Sequence, residues 1–76
     1  MTVTVHMHGN LRRFMPGGQA RTDLELVPGA TVEQLLARLG AAEDTWLVAV
    51  NGEAVDRARV LAPGDLMDCF EPQAAG

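Results

Sequence analysis

The sequence predicts an α+β fold: a mixed sheet of four to five strands with one main helix lying on one face. Three observations support this. Residues 2–8 alternate strictly between apolar and polar side chains, the mark of a half-buried strand. Residues 31–40 carry a full set of helix start and stop signals. Beyond them, Asn51-Gly52 and Pro63-Gly64-Asp65 divide the remaining apolar segments into short strands.

Taken in order, Thr2 to His8 sets Val3, Val5 and Met7 on one face and Thr4, His6 and His8 on the other. Gly9-Asn10-Leu11-Arg12-Arg13-Phe14 follows, where Asn10 is expected to cap one short helical turn. After Pro16-Gly17-Gly18, Arg21 to Val27 reads as a second strand with Leu24 and Leu26 inward, ended by Pro28-Gly29. Thr31 and Gln34 then form a capping box. Val32, Leu35, Leu36 and Leu39 make one apolar stripe at helical spacing, and Gly40 stands where a helix ends. Glu33 near the start and Arg38 near the end suit the helix dipole. A helix this short does not survive alone in water, so it must lie on the sheet. Trp46 to Val50 reads as a third strand, joined through Asn51-Gly52 to a brief strand at Glu53-Ala54-Val55. Leu66 to Phe70 is the last. One helix covering a sheet with this element order is the β-grasp, or ubiquitin-like, arrangement. The domain is expected to span residues 1–70, with 71–76 as a flexible C-terminal tail.

Size and composition narrow the function. A chain of 76 residues is one small domain, and such a chain buries only about 60% of its unfolded surface. Its core is thin, leaving little room for a deep catalytic pocket. The net charge is −4, and all six basic residues are arginine. An acidic chain without a basic cluster does not suit nucleic acid or an anionic membrane; it suits a basic protein surface. No apolar stretch approaches the roughly 20 residues of a membrane span. The first residues lack the regions of a secretion signal, and the single cysteine fits a reducing compartment, so a cytoplasmic location is expected.

The residues offer no catalytic constellation, phosphate-binding glycine motif or CxxC pair. His6 and His8 share a strand face and can reach one metal ion, but the sequence places no third ligand convincingly, so no metal is expected. Their face is expected to be solvated or to meet a partner. Cys69 is expected inward beside Met67, as core packing, with a redox or sulfur role as the alternative. Leu66, Asp68 and Phe70 then point outward, and Leu66 with Phe70 makes an apolar docking patch; a shifted register would put Phe70 in the core instead. Beyond Phe70 lie Glu71-Pro72-Gln73-Ala74-Ala75-Gly76. Fully extended, six residues reach roughly 20 Å. Such a tail suits delivery of the Gly76 carboxylate into another protein's active site, since glycine permits close backbone approach.

These residues resemble the MoaD/ThiS family of ubiquitin-like sulfur carriers, nearest to its branch of molybdopterin synthase small subunits, over essentially the whole length. The markers are Phe14 within Leu11-Arg12-Arg13-Phe14, Ala30-Thr31-Val32, Val50-Asn51-Gly52, Pro63-Gly64-Asp65 and the closing Phe70-x-Pro72-x-Ala74-x-Gly76. The resemblance implies that Gly76 is adenylated by an E1-like enzyme using ATP-Mg and converted by a sulfur donor to a thiocarboxylate. Pro72, Gln73, Ala74 and Ala75 would enter the partner's active site, and Leu66, Phe70, His6 and His8 would dock. The acceptor would be an enzyme such as a molybdopterin synthase large subunit; the carrier itself binds no cofactor and has no active site of its own. Members of that branch end in Phe-Pro-Pro-Val-Ala-Gly-Gly, so Glu71, Gln73 and Ala75 depart from the pattern. An added methyl in a close-fitting channel costs about 1–3 kcal/mol. Two other readings therefore stay open: a non-covalent β-grasp subunit that regulates a partner enzyme, and a ubiquitin-like protein modifier.

Overall fold

In the computed structural model, which describes residues 1–72, five strands form one sheet in the order β2-β1-β5-β3-β4. They are β1 (Thr2–Met7), β2 (Arg21–Glu25), β3 (Leu47–Val50), β4 (Glu53–Val55) and β5 (Leu66–Phe70), with one helix, α1 (Val32–Leu39), between β2 and β3 in sequence. β1 and β5 run parallel, and the other three pairings are antiparallel. The expected mixed sheet with one main helix is present, and it is the β-grasp arrangement.

Alternation decides which side chains meet the helix. Val3, Val5 and Met7 of β1, Met67 and Cys69 of β5, and Val48 and Val50 of β3 pack in one cluster with Val32, Leu35 and Leu36 of α1. Leu11 and Met15 join it from the segment after β1, and Leu24 and Leu26 border it. The opposite face carries Thr4, His6, Leu66, Asp68 and Phe70, all partly exposed.

Both ends of α1 are closed. Thr31 Oγ1 accepts from the Gln34 amide at 3.2 Å, and Gln34 Oε1 accepts from the Thr31 amide at 3.0 Å. The Val32 and Glu33 amides, which have no partner inside the helix, donate to the carbonyls of Arg59 and Arg57, each at 3.0 Å. Arg57 also ion-pairs with Glu33 and donates to the Thr45 carbonyl, tying the 57–59 loop to the helix and to the segment behind it. At the far end Gly40 adopts φ 77, and the Gly40 and Ala41 amides return to the Ala37 and Leu36 carbonyls.

The Asn51-Gly52 hairpin forms as expected, with φ 52 and 84, the left-handed pair a type I′ turn requires. Asn51 does more than turn the chain. Its side chain donates to Asp65 Oδ1 and accepts from the Leu66 amide, each at 2.9 Å. The hairpin is thereby clamped to the start of β5.

Three local expectations are corrected. β2 ends at Glu25 because β1 supplies no partner further on; the Leu26 amide bonds to the Met1 carbonyl, and Val27 is exposed. β3 begins at Leu47, since its neighbour β5 ends at Phe70, opposite Leu47. Asn10 caps nothing with its side chain: it lies inside a 3₁₀ segment, Gly9–Phe14, that starts one residue earlier at the left-handed Gly9.

Leu36 is fully buried between α1 and the sheet. Leu36→Ala is expected to cost about 2–5 kcal/mol, a large share of the roughly 5–15 kcal/mol that holds a domain folded. A lowered urea midpoint with an unchanged slope is the expected result.

Candidate functional site

The open face of the sheet and the point where β5 gives way to the tail form one continuous region. Three strands build it. In β1, the two-residue period brings His6 and His8 to the same side. The parallel register sets His6 beside Asp68 and Thr4 beside Leu66; the antiparallel register sets Ala49 beside Asp68 and Leu47 beside Phe70. The sequence expectation for β5 therefore holds: Met67 and Cys69 are buried, whereas Leu66, Asp68 and Phe70 line the open face.

All four residues expected to dock a partner stand on this face, and His8 and Phe70 touch. Their rings stack with centroids 4.3 Å apart and planes 14° apart, and the His6 ring lies 4.1 Å from that of His8. Phe70 is consequently half-buried rather than fully open. The sequence reading missed two apolar neighbours. Leu47, opposite Phe70, is 42% exposed, and Trp46, whose amide donates to the Phe70 carbonyl at 2.8 Å, is 72% exposed. The sequence predicts strand at Trp46, but β3 begins at Leu47. The exposure of Trp46 follows from standing one residue before β3, where no strand covers it.

Asp68 was also missed. Its Oδ1 lies 2.9 Å from His8 Nε2, to which it is hydrogen-bonded, and 3.3 Å from His6 Nδ1. The third side chain that the sequence reading did not place beside the two histidines is therefore present, contributed by a strand 60 residues away.

At the tail root, Glu71 is held against the body. Its Oε1 accepts from the Asn10 amide at 2.9 Å, and its Oε2 lies 3.9 Å from Arg13 Nη1. Arg13 also pairs with Asp44 at 3.3 Å and covers the Phe14 ring. Gly9 permits the contact: a Cβ there would stand 2.8 Å from Glu71 Oε1, and its φ of +60 disfavours any side chain. Pro72, the next residue, is exposed. Gln73, Ala74, Ala75 and Gly76 lie outside the described residues.

Cys69 sits in the core, and burial, reinforced by the adjacent Asp68 charge, pushes its thiol up to about 12. A neutral, enclosed thiol is a packing group, as expected from its position. No helix among the described residues is long and apolar enough to cross a membrane.

The fold and this exposed face define a ubiquitin-like protein. Three solved structures share the architecture. SAMP1 from Haloferax volcanii superposes with a TM-score of 0.80 at 21% identity, covering all of both chains. A Pyrococcus furiosus protein provisionally assigned as molybdopterin converting factor subunit 1 gives 0.77 at 24% identity, over 95% of this chain and 98% of that one. The complex of subunits 1 and 2 of the molybdopterin-converting factor from Helicobacter pylori 26695 gives 0.64 at 22% identity, with both chains fully covered. No curated protein matches at a significant level. The ThiS family model matches residues 6–76. The chain belongs to the ThiS family, a family of ubiquitin-fold sulfur carriers and modifiers.

At pH 8.5 the native protein should react with iodoacetamide more than about a hundredfold more slowly than the urea-unfolded chain; comparable rates would show that Cys69 is accessible. Because its folded value lies above the ordinary thiol value, its contribution to stability is complete below about pH 8.5 and falls as pH rises towards 12. Separately, Gly9→Ala should cost about 1–2 kcal/mol or more from the left-handed backbone alone. Adding Glu71→Ala should recover only the part due to the clash, a coupling that a double-mutant cycle by urea unfolding measures.

Proposed function

We propose that this protein is a sulfur carrier whose Gly76 carboxylate is activated and loaded by other proteins. A carboxylate is a poor acyl electrophile because resonance and negative charge repel nucleophiles. An E1-like enzyme would use ATP-Mg to form the acyl-adenylate at Gly76 with release of pyrophosphate. A sulfur donor would then displace AMP and leave a thiocarboxylate. The observation that carries this reading is the ThiS family match, which runs through residue 76 and so includes the tail. The protein's own part is an address and a deliverable group; the catalysis belongs to its partners.

The acceptor we favour is a large subunit of the molybdopterin synthase kind. The tail's Phe70 and Pro72 fit that branch, and the Helicobacter pylori subunit 1 is seen with its subunit 2. Trp46, Leu47 and Phe70, with His8, offer such a partner a mixed apolar and polar surface beside the tail root, and His6 and Leu66 extend it along the open face. A rim of this kind with a central aromatic is a common way to anchor a protein partner. Pro72 to Ala75 would thread the partner's active site. The proposed setting is the cytoplasm, where a lone thiol stays reduced.

Ala75 favours a second reading, a non-covalent β-grasp subunit, because it adds a methyl where the family pattern has glycine. One experiment separates the two. The protein is incubated with an E1-like activating enzyme, ATP-Mg and a sulfur donor, and its intact mass is followed. Exchange of one oxygen for sulfur, abolished by deleting Gly76 and slowed by Phe70→Ala, is the expected outcome. If a Gly-Gly-tailed control is converted and this chain is not, while deletion of Gly76 leaves partner activity intact, the non-covalent reading stands. A Gly76 bond to a lysine of another protein would instead mark a modifier.

A further inference from the structure

We propose that His6, His8 and Asp68 form a binding site for one divalent cation of the zinc class on the open face. The site does not depend on the carrier reading. Two periodicities build it: the pleat of β1 gives both imidazoles one side, and the parallel register brings Asp68 of β5 alongside His6. One ligand atom from each residue lies within 4.8 Å of the other two.

The distances suit a small tetrahedral ion. Zinc takes histidine nitrogen at about 2.0–2.1 Å and carboxylate oxygen at about 2.0–2.2 Å, which sets neighbouring ligand atoms about 3.4 Å apart. His6 Nδ1 and Asp68 Oδ1 are 3.3 Å apart, already at that spacing. His8 Nε2 and Asp68 Oδ1, at 2.9 Å, need to part by only about half an ångström. Side-chain rotation of the partly exposed imidazoles would supply this and bring their two nitrogens, which lie within 4.8 Å of each other, to the same spacing. The stack on Phe70 restrains the His8 ring and limits the freedom lost on binding.

Ligand chemistry selects the ion. Calcium and magnesium favour oxygen donors, whereas two of the three ligand atoms here are imidazole nitrogens. Soft thiophilic ions prefer sulfur, and Cys69 is buried on the opposite face of β5. Two imidazole nitrogens and one carboxylate suit zinc, cobalt(II), nickel(II) or copper(II), leaving a fourth position for water or a partner's group. On binding, the proton that His8 Nε2 shares with Asp68 moves through water to Nδ1 of the same ring, and the hydrogen bond to Asp68 Oδ1 is exchanged for a bond from each group to the ion. The net charge of −4 favours a cation.

The test is titration of the full chain with zinc chloride by calorimetry, with histidine-optimised 15N NMR on the same samples. One equivalent should bind, reversed by EDTA, with shifts at His6 Nδ1 and His8 Nε2. Asp68→Asn and His6→Gln should each weaken binding by at least about tenfold, since loss of a supporting partner alone commonly costs 10–100-fold. Absence of saturable binding, affinity unchanged in Asp68→Asn, or shifts confined to other residues would overturn the site. Should a substitution unfold the chain, the imidazole shifts of the unaltered protein decide: movement of both nitrogens supports the site, and none refutes it.

Discussion

The parallel pairing of β1 with β5 is the constraint on which the rest of the structure depends. It inserts the last strand between the first and the third, so β5 is bonded along both edges and its alternate residues are sealed beneath the helix. Parallel neighbours need a long crossover, and everything from Gly9 to Asp65 serves as that connection. The pairing fixes both faces at once: Val5 meets Met67 and Met7 meets Cys69 within the core, while His6 meets Asp68 outside. It also ends the two strands together, with the His8 amide donating to the Cys69 carbonyl at 3.0 Å. The Gly9 turn and Glu71 are neighbours for that reason.

A one-residue slip in this register would reverse every side chain of β5. The core would then receive Asp68 and lose Met67 and Cys69, a cost no small domain can carry. Register is secured from outside the strand pair as well. Asn51 and Asp65 clamp the start of β5 through two side-chain hydrogen bonds, and a second oxygen of Asp65 accepts from the Ala62 amide at 2.8 Å. Two turns that look independent in the sequence, Asn51-Gly52 and Pro63-Gly64-Asp65, thus act as one device. With the helix face committed to burial, the other face stays open, and the exposed Leu47 and the half-buried Phe70 lie where β5 ends on it.

What was legible in the sequence was local. The capping box at Thr31 and Gln34, the Gly40 stop, the Asn51-Gly52 turn and the inward placement of Cys69 each depend on residues a few positions apart, and each is present. What escaped depends on which strand lies beside which. Asp68 joins His6 and His8 only through a parallel register across 60 residues, and no spacing within β1 announces it. Strand ends were overrun at Val27 and Trp46 because pairing stops where the neighbour stops, a limit that hydrophobicity does not encode. The family could be read because several short motifs fall in the right order along the chain, and its model match now spans residues 6–76.

Glu71 has a consequence for any partner that uses the tail. The molybdopterin-branch pattern that the chain resembles has proline there, a residue that stiffens the chain without attaching it; here the Glu71 carboxylate accepts from the Asn10 amide at the Gly9–Asn10 corner. Five residues follow Glu71, and a fully extended stretch of that length spans at most roughly 17 Å. On the proposed carrier reading, a site that receives Gly76 would lie within that distance of the corner, with the partner seated against the end of β5. Trp46, Leu47 and Phe70 occupy the sheet end where such a partner would rest.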